Sequence, residues 1–270
     1  MDKNLDDLSV VGGMIANVIS VVGVVIINKY IVTEQNFNFM LLLSFLHFTS
    51  TYIATSTLLR FKVFTFKPAP LSSVLPVAIG SLLSVAFMNL NLAHNSVGFY
   101  QLSKLACIPV TITLEYLFYQ KTVSWPILFT LIPITFGVGL ATVSDVTVTM
   151  KGLAYATCAV IATALAQIFT STYQKELDCN ALQLLIHTAP IISFGMFCMI
   201  PFFDDIGNLQ DTPITVPLVQ QLLLSCLFAF GVNVSNYLVL GKTSPLTYQV
   251  LGHMKTILIF LLGFFIFAQK

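Results

Sequence analysis

The sequence predicts an all-α, polytopic membrane protein, and three observations carry that reading. Hydrophobic residues make up 57% of the 270-residue chain and charged residues only 9%, against roughly 25% charge in soluble domains. Mean hydropathy is +0.90. Apolar runs close to the length of a bilayer-spanning helix, about 20 residues, recur from end to end between short polar breaks. A soluble protein of this composition could not cover its own exterior. The 23 Phe and 9 Tyr suit a surface facing lipid with interfacial anchors. A net charge of +1 and the lack of basic runs argue against nucleic acid as a partner.

Nine spans follow from the apolar runs, at 10–32, 39–59, 71–93, 97–119, 125–143, 152–172, 181–202, 218–240 and 245–267. Polar chemistry separates them: Thr33-Glu34-Gln35-Asn36 after the first, then Arg60, Lys62 and Lys67-Pro68. Later breaks are Lys175-Glu176-Leu177-Asp178 and the stretch from Asp204-Asp205 to Asp211. With the N-terminus in the cytosol, Lys3, Arg60, Lys62, Lys67, Lys121, Lys175 and Lys242 are cytosolic, and only Lys29, Lys151 and Lys270 lie opposite. That excess predicts the N-terminus inside. The acidic start, Met1 to Asp7, resembles neither a signal peptide nor a transit peptide, so the first span is expected to serve as its own targeting signal. The cysteines (Cys107, Cys158, Cys179, Cys198, Cys226) have neither metal nor disulfide-framework spacing and read as small packers.

A shift of 148 positions lays Asn95-Ser96-Val97-Gly98-Phe99-Tyr100-Gln101 over Thr243-Ser244-Pro245-Leu246-Thr247-Tyr248-Gln249, a shared Ser-x-x-x-Tyr-Gln at two helix starts. Such internal repeats mark transporters built from two related bundles. Span five begins near Trp125, so its counterpart would begin just past Lys270. The expectation is two inverted five-helix repeats, at 1–143 and 144–270, with nine of ten helices present and the tenth missing from a C-terminally truncated chain.

Charge inside the membrane is the strongest functional signal, because a lysine near a helix centre costs about 2.5–3.5 kcal/mol. Lys104 lies in span four and Lys255 in span nine. Tyr100, Lys104, Thr111 and Glu115 fall on one helical face, as do Tyr248 and Lys255. Each half thus offers a tyrosine and a lysine to an expected shared cavity, where two ammonium groups attract an anion such as phosphate. The tyrosines could stack on a base or bond a sugar hydroxyl. Against this, Lys104 at about 12 Å depth could snorkel, whereas Lys255 is more central. Glu115 reads equally as an ion-pair partner and an interfacial carboxylate. His187 and Thr188 could line the cavity or form a hydrogen-bonded structural pair. Asn233-Val234-Ser235 is a sequon placed mid-span, out of reach of glycosylation. Glycines such as Gly12, Gly13, Gly137, Gly139, Gly252 and Gly263 read as helix-packing points. No hydrolase, metalloprotease or phosphate-loop signature occurs, so neither an enzyme nor a cofactor or metal is expected.

From Ser244-Pro245-Leu246-Thr247-Tyr248 to Gly252-His253-Met254-Lys255-Thr256 the chain resembles the triose-phosphate/nucleotide-sugar transporter family of the drug/metabolite transporter superfamily. Asn28-Lys29-Tyr30 and Ser96 to Lys104 are also similar, and the resemblance runs from about residue 10 to the end. It most resembles the E branch of solute carrier family 35 and the plant KT-type UDP-sugar transporters. This resemblance implies a ten-helix Golgi or ER antiporter with cytosolic termini that exchanges a nucleotide sugar for a nucleoside monophosphate. Lys104 and Lys255 would hold the diphosphate and Tyr100 and Tyr248 the nucleoside or sugar, with Thr256 and His187 shaping selectivity. Plastid phosphate translocators carry Lys-Arg where this chain has Lys255-Thr256, and threonine cannot grip phosphate as arginine does. Together with the missing transit peptide, that favours a nucleotide sugar over a triose phosphate. The GDP-mannose branch's span-seven Phe-Tyr-Asn-Asn gives way to Leu185-Ile186-His187-Thr188, which disfavours GDP-mannose. A phosphorylated-metabolite exchanger and a non-transporting product of a truncated gene stand as rivals, and a homodimer is compatible with this plan.

Overall fold

The computed structural model describes residues 3–130, 149–209 and 213–255, with isolated positions between 130 and 149. Among the described residues every regular element is a helix. The long ones are α1 (Lys3–Thr33), α2 (Met40–Arg60) and α3 (Leu71–His94). Span four divides into α4 (Val97–Leu105) and α5 (Cys107–Tyr119). After a described turn of α6 (125–130) come α7 (Met150–Glu176), α8 (Ala181–Phe203), α9 (Val216–Lys242) and α10 (245–255). Each predicted span thus begins on a helix, except the second, which begins at Phe39, the N-cap of α2. The remainder of span five, apart from those isolated positions, and residues 256–267 of span nine, Thr256 among them, lie outside the described residues.

Among the described residues six helices are long and apolar enough to cross a membrane: Leu8–Thr33, Leu71–His94, Phe99–Tyr119, Met150–Glu176, Ala181–Phe203 and Val216–Lys242. Helix α2 has the length, but Ser44, His47, Thr49, Ser50, Thr51 and Thr55 dilute its hydropathy. Those groups are spent inward. His47 Nε2 shares a 2.8 Å hydrogen bond with Ser225 Oγ, Thr49 pairs with Ser193 at 2.7 Å, and Thr51 accepts from Asn233 Nδ2 at 2.9 Å. Asn233 is therefore bound inside the bundle, as its mid-span position suggested. The exterior is apolar: Leu8, Val11, Ile15 and Ile19 form an exposed stripe on α1, and Phe194, Phe197, Leu223 and Leu227 are exposed on α8 and α9. Exposed apolar faces with polar groups turned inward are what a lipid solvent selects.

Helices pair through small residues and polar rungs. Helix α3 lies on α7, α1 on α9, and α2 on α8. At Gly80 a Cβ would sit 3.2 Å from the Ala166 Cα, so α3 and α7 approach each other closely there. Ala156, Ala159, Ala162, Ala164 and Ala166 of α7 are buried on it, giving close packing that needs no hydrophobic driving force. Gly13 packs against Leu238 as expected, whereas among the described residues nothing lies within 4 Å of a would-be Cβ at Gly12 or Gly252. Gly137, Gly139 and Gly263 lie outside the described residues. Larger side chains fill the α2–α3–α8 seam: Leu41, Phe48, Ala78, Ile192 and Met196.

The end contacts alternate as the predicted spans require. At one end Lys67 Nζ reaches Asp178, Gln183 Nε2 donates to the Thr65 carbonyl, Lys175 Nζ to the Thr243 carbonyl, and Lys242 Nζ to Ser9. At the other, Asp204 accepts from Leu41 and Leu42 N–H, Thr215 bonds Gln35, and Asn95 Nδ2 donates to the Gly152 carbonyl. Every pair joins segments the span count puts on one side.

Candidate functional site

Lys255 is the chemical centre of the bundle. It is 6% exposed, its Nζ donates to Asn17 Oδ1 at 2.6 Å, and it lies over the Tyr248 ring, 4.7 Å from the centroid. Asn17, fully buried on α1, donates through Nδ2 to Ser235 Oγ at 2.9 Å and Asn236 Oδ1 at 2.7 Å on α9. Tyr248 Oη donates to the same Asn236 oxygen at 2.5 Å. The seven-residue spacing of Tyr248 and Lys255 puts both on one face of α10, where they meet α1 and α9. Among the described residues no carboxylate pairs with Lys255. A buried ammonium held only by an amide oxygen and a ring is a strong attractor for an anion.

Lys104 repeats part of this arrangement on α4. Its Nζ sits 4.1 Å from the centroid of the Tyr100 ring. Helix caps also match across the 148-residue offset: Ser96 Oγ accepts from Phe99 N–H at 3.0 Å, and Ser244 Oγ from Thr247 N–H at 3.1 Å.

The single face expected for Tyr100, Lys104, Thr111 and Glu115 is broken. Helix α4 ends at Leu105 because Pro109 lacks the N–H that would bond its carbonyl, and its ring crowds that carbonyl. Thr111 instead accepts from Gln249 Nε2 of α10 at 2.5 Å. Glu115 is resolved as an ion-pair partner, with Lys121 Nζ 3.0 Å from its Oε1.

His187 and Thr188 are not brought to the lysines. His187 Nε2 bonds the Lys67 backbone carbonyl at 2.8 Å, and its ring packs on Phe66. This ties the end of α8 to the α2–α3 loop. Thr188 is fully buried between α8 and α9, bonded to Tyr237 Oη at 2.9 Å. The hydrogen-bonded structural alternative is the one the geometry gives. Conversely, Asn17, Ser235 and Asn236 were not anticipated. The available signal was a lone amide in the middle of the apolar run 10–27, as costly in a membrane as a polar group without function is rare.

All five cysteines are free thiols, Cys107 buried and Cys158 and Cys198 on outer faces. A groove of about 520 Å³ lies between α3 and α7, lined by Leu75, Ile79, Leu83, Ile161 and Leu165 among others. It is apolar and away from the lysines, so it adds nothing to the charged site.

Fold and site together define a polytopic helical membrane protein with a cationic, amide-lined interior. The Triose-phosphate Transporter family model matches residues 14–270, and the chain belongs to that family. It is similar to UDP-xylose transporter 2 of Arabidopsis thaliana, 39% identical over 266 residues, covering 97% of this chain and 75% of that protein. It is also similar to UDP-rhamnose/UDP-galactose transporter 1 of Arabidopsis thaliana, 36% identical over 268 residues, covering 97% and 77%. These relatives are nucleotide-sugar transporters, not enzymes, in agreement with the resemblance carried by Ser96 to Lys104 and Ser244 to Thr256.

Proposed function

We propose that the chain is a UDP-sugar antiporter of the Golgi or ER membrane, exchanging its substrate for UMP by alternating access, with the N-terminus in the cytosol. One observation carries the reading: Lys255 is buried with no carboxylate partner among the described residues, and Lys104 with Tyr100 repeats its lysine-over-tyrosine arrangement in the other half. Two cations suit a diphosphate bridge. Tyr248 and Tyr100 hold them in place and offer ring and hydroxyl to the remainder of the solute. Thr256 follows Lys255 directly and belongs to the same proposal.

Two related bundles, 1–143 and 144–270, would move about this site. In support, exchanging each span for the one five places on converts the α1–α9 pair into the α7–α3 pair and leaves α2–α8 as itself. The matching Ser96 and Ser244 caps agree with that exchange. The lysine-rich end, with Lys67, Lys121, Lys175 and Lys242, is the cytosolic one on the charge count.

The test is uptake of labelled UDP-xylose into proteoliposomes loaded with UMP. Wild type exchanges and Lys255→Ala does not. Undiminished exchange by Lys255→Ala sinks the site assignment, and competition by inorganic phosphate in place of UMP points to a phosphorylated-metabolite exchanger.

A further inference from the structure

Five buried polar atoms have no hydrogen-bond partner among the described residues, and three of them lie on α4 and α10: Gln101 Oε1, Gln249 Oε1 and His253 Nε2. Gln249 is 5% exposed, and its Nε2 donates to Thr111 Oγ1 at 2.5 Å and to Gln167 Oε1 at 2.9 Å. Those two bonds fix the amide and leave its oxygen unoccupied. Gln249 and His253 are four residues apart on α10, hence on one face. Through Thr111 and Gln167, Gln249 faces α5 and α7, His253 shares that face of α10, and Gln101 lies on α4, which leads into α5. Gln101 and Gln249 are also 148 residues apart, so they occupy equivalent places in the two halves.

Buried polar groups are almost always satisfied, and leaving these unmade is a cost that a ligand can remove. We propose that Gln101, Gln249 and His253 form a hydrogen-bonding subsite for the sugar hydroxyls of the substrate and set which sugar is accepted. The proposal rests on the nucleotide-sugar reading above. Donor count selects the sugar over the base: two amide oxygens are obligate acceptors, whereas a uracil edge offers a single N–H. A pyranose offers several hydroxyl donors, each of which can also accept.

The experiment compares UDP-xylose with UMP, which lacks the sugar, in proteoliposomes carrying the full 270-residue chain. In Gln101→Leu and Gln249→Leu the KM for UDP-xylose rises about fivefold to tenfold, the loss of one or two hydrogen bonds, while half-inhibition by UMP stays within about twofold. Equal rises for both ligands would mean that the subsite reads the nucleotide, and no change in either would mean that it reads nothing; both outcomes overturn the proposal. Gln249 also braces Thr111 and Gln167, so should Gln249→Leu not fold, Gln101→Leu carries the test alone. A wild type that exchanges UMP but no nucleotide sugar overturns the transport reading together with this subsite. A wild type that exchanges UDP-xylose while the variants match it overturns the subsite only.

Discussion

Replacing Asn17 with aspartate separates the charge of Lys255 from its position. The amide oxygen that accepts from Lys255 Nζ at 2.6 Å becomes a carboxylate, and the ammonium gains an ion-pair partner in a buried setting. A phosphate arriving at Lys255 must then break that pair. Breaking a buried pair costs about 3–5 kcal/mol, which at about 1.4 kcal/mol per tenfold is two to three and a half orders of magnitude in apparent affinity. Stability suffers far less. The variant loses the donor bonds to Ser235 and Asn236, each worth about 1 kcal/mol, and the new ion pair offsets part of that. Asn17→Leu, by contrast, removes all three bonds and leaves a buried ammonium without its acceptor. A charged bond at about 1.5–3 kcal/mol plus two neutral ones gives a loss near 4 kcal/mol, or about 10 °C in Tm at 2–4 °C per kcal/mol. Thermal unfolding in detergent and UDP-xylose/UMP exchange in proteoliposomes read the two quantities separately. Expected are a folded, inactive Asn17→Asp and an unstable Asn17→Leu. A folded Asn17→Asp that exchanges like wild type refutes the reasoning, because the substrate anion would then not meet Lys255.

Asp204 tests the link between α8 and α2. Its carboxyl receives the Leu41 and Leu42 N–H groups at 3.2 and 2.8 Å, while burial, the larger effect, raises its pKa above the ordinary carboxylate value. Asp204→Ala loses the cap and about 0.5–2 kcal/mol, read as a fall of a few degrees in Tm, whereas Asp204→Asn keeps one of the two acceptor oxygens and loses less. Because the folded pKa is the higher one, the Asp204 contribution is full below the unfolded pKa and is lost as pH rises through the folded one. Asp204→Asn therefore removes a component of the wild-type stability gain on acidification. Sidedness is checked with a membrane-impermeant maleimide on sealed vesicles. Lys62→Cys in a Cys179→Ser background reacts from the cytosolic side and Asp205→Cys only from the other; reaction of both from one side contradicts the alternating spans.

Most of the fold was legible because a bilayer imposes a coarse rule that a single sequence obeys. Apolar runs near 20 residues must be helices, so the starts of α2, α3, α8 and α9 fall within a few residues of their predicted places. Helix α1 begins earlier, at Lys3, and α7 extends to Glu176, because a helix need not stop where its hydropathy does. The break between α4 and α5 was also written in the chain, at Pro109, but an apolar run reads straight through a proline. Which helices touch was not legible. The contact of Gly80 with Ala166 depends on two small residues 86 positions apart, and nothing in either run distinguishes them from their neighbours.

At the site, visibility in the sequence followed charge, whereas function follows partners. Lys255 stands out because a lysine in an apolar run is expensive wherever it points. His187 stands out for the same reason, yet it lies only seven residues into α8, where a loop carbonyl at Lys67 can satisfy it. Glu115 is likewise near the end of α5 and meets Lys121. Both are polar groups whose cost is met by the protein itself. Asn17 carries no charge and draws no attention, but it is the residue on which Lys255, Ser235 and Asn236 converge. The useful distinction among intramembrane polar groups is therefore between those whose partners are supplied at helix ends and those held mid-bundle with capacity left over. Lys255, with an amide for a partner and no carboxylate among the described residues, belongs to the second kind, and so do Gln249 and Gln101. A solute bearing phosphates at one end and hydroxyls at the other would complete both sets at once.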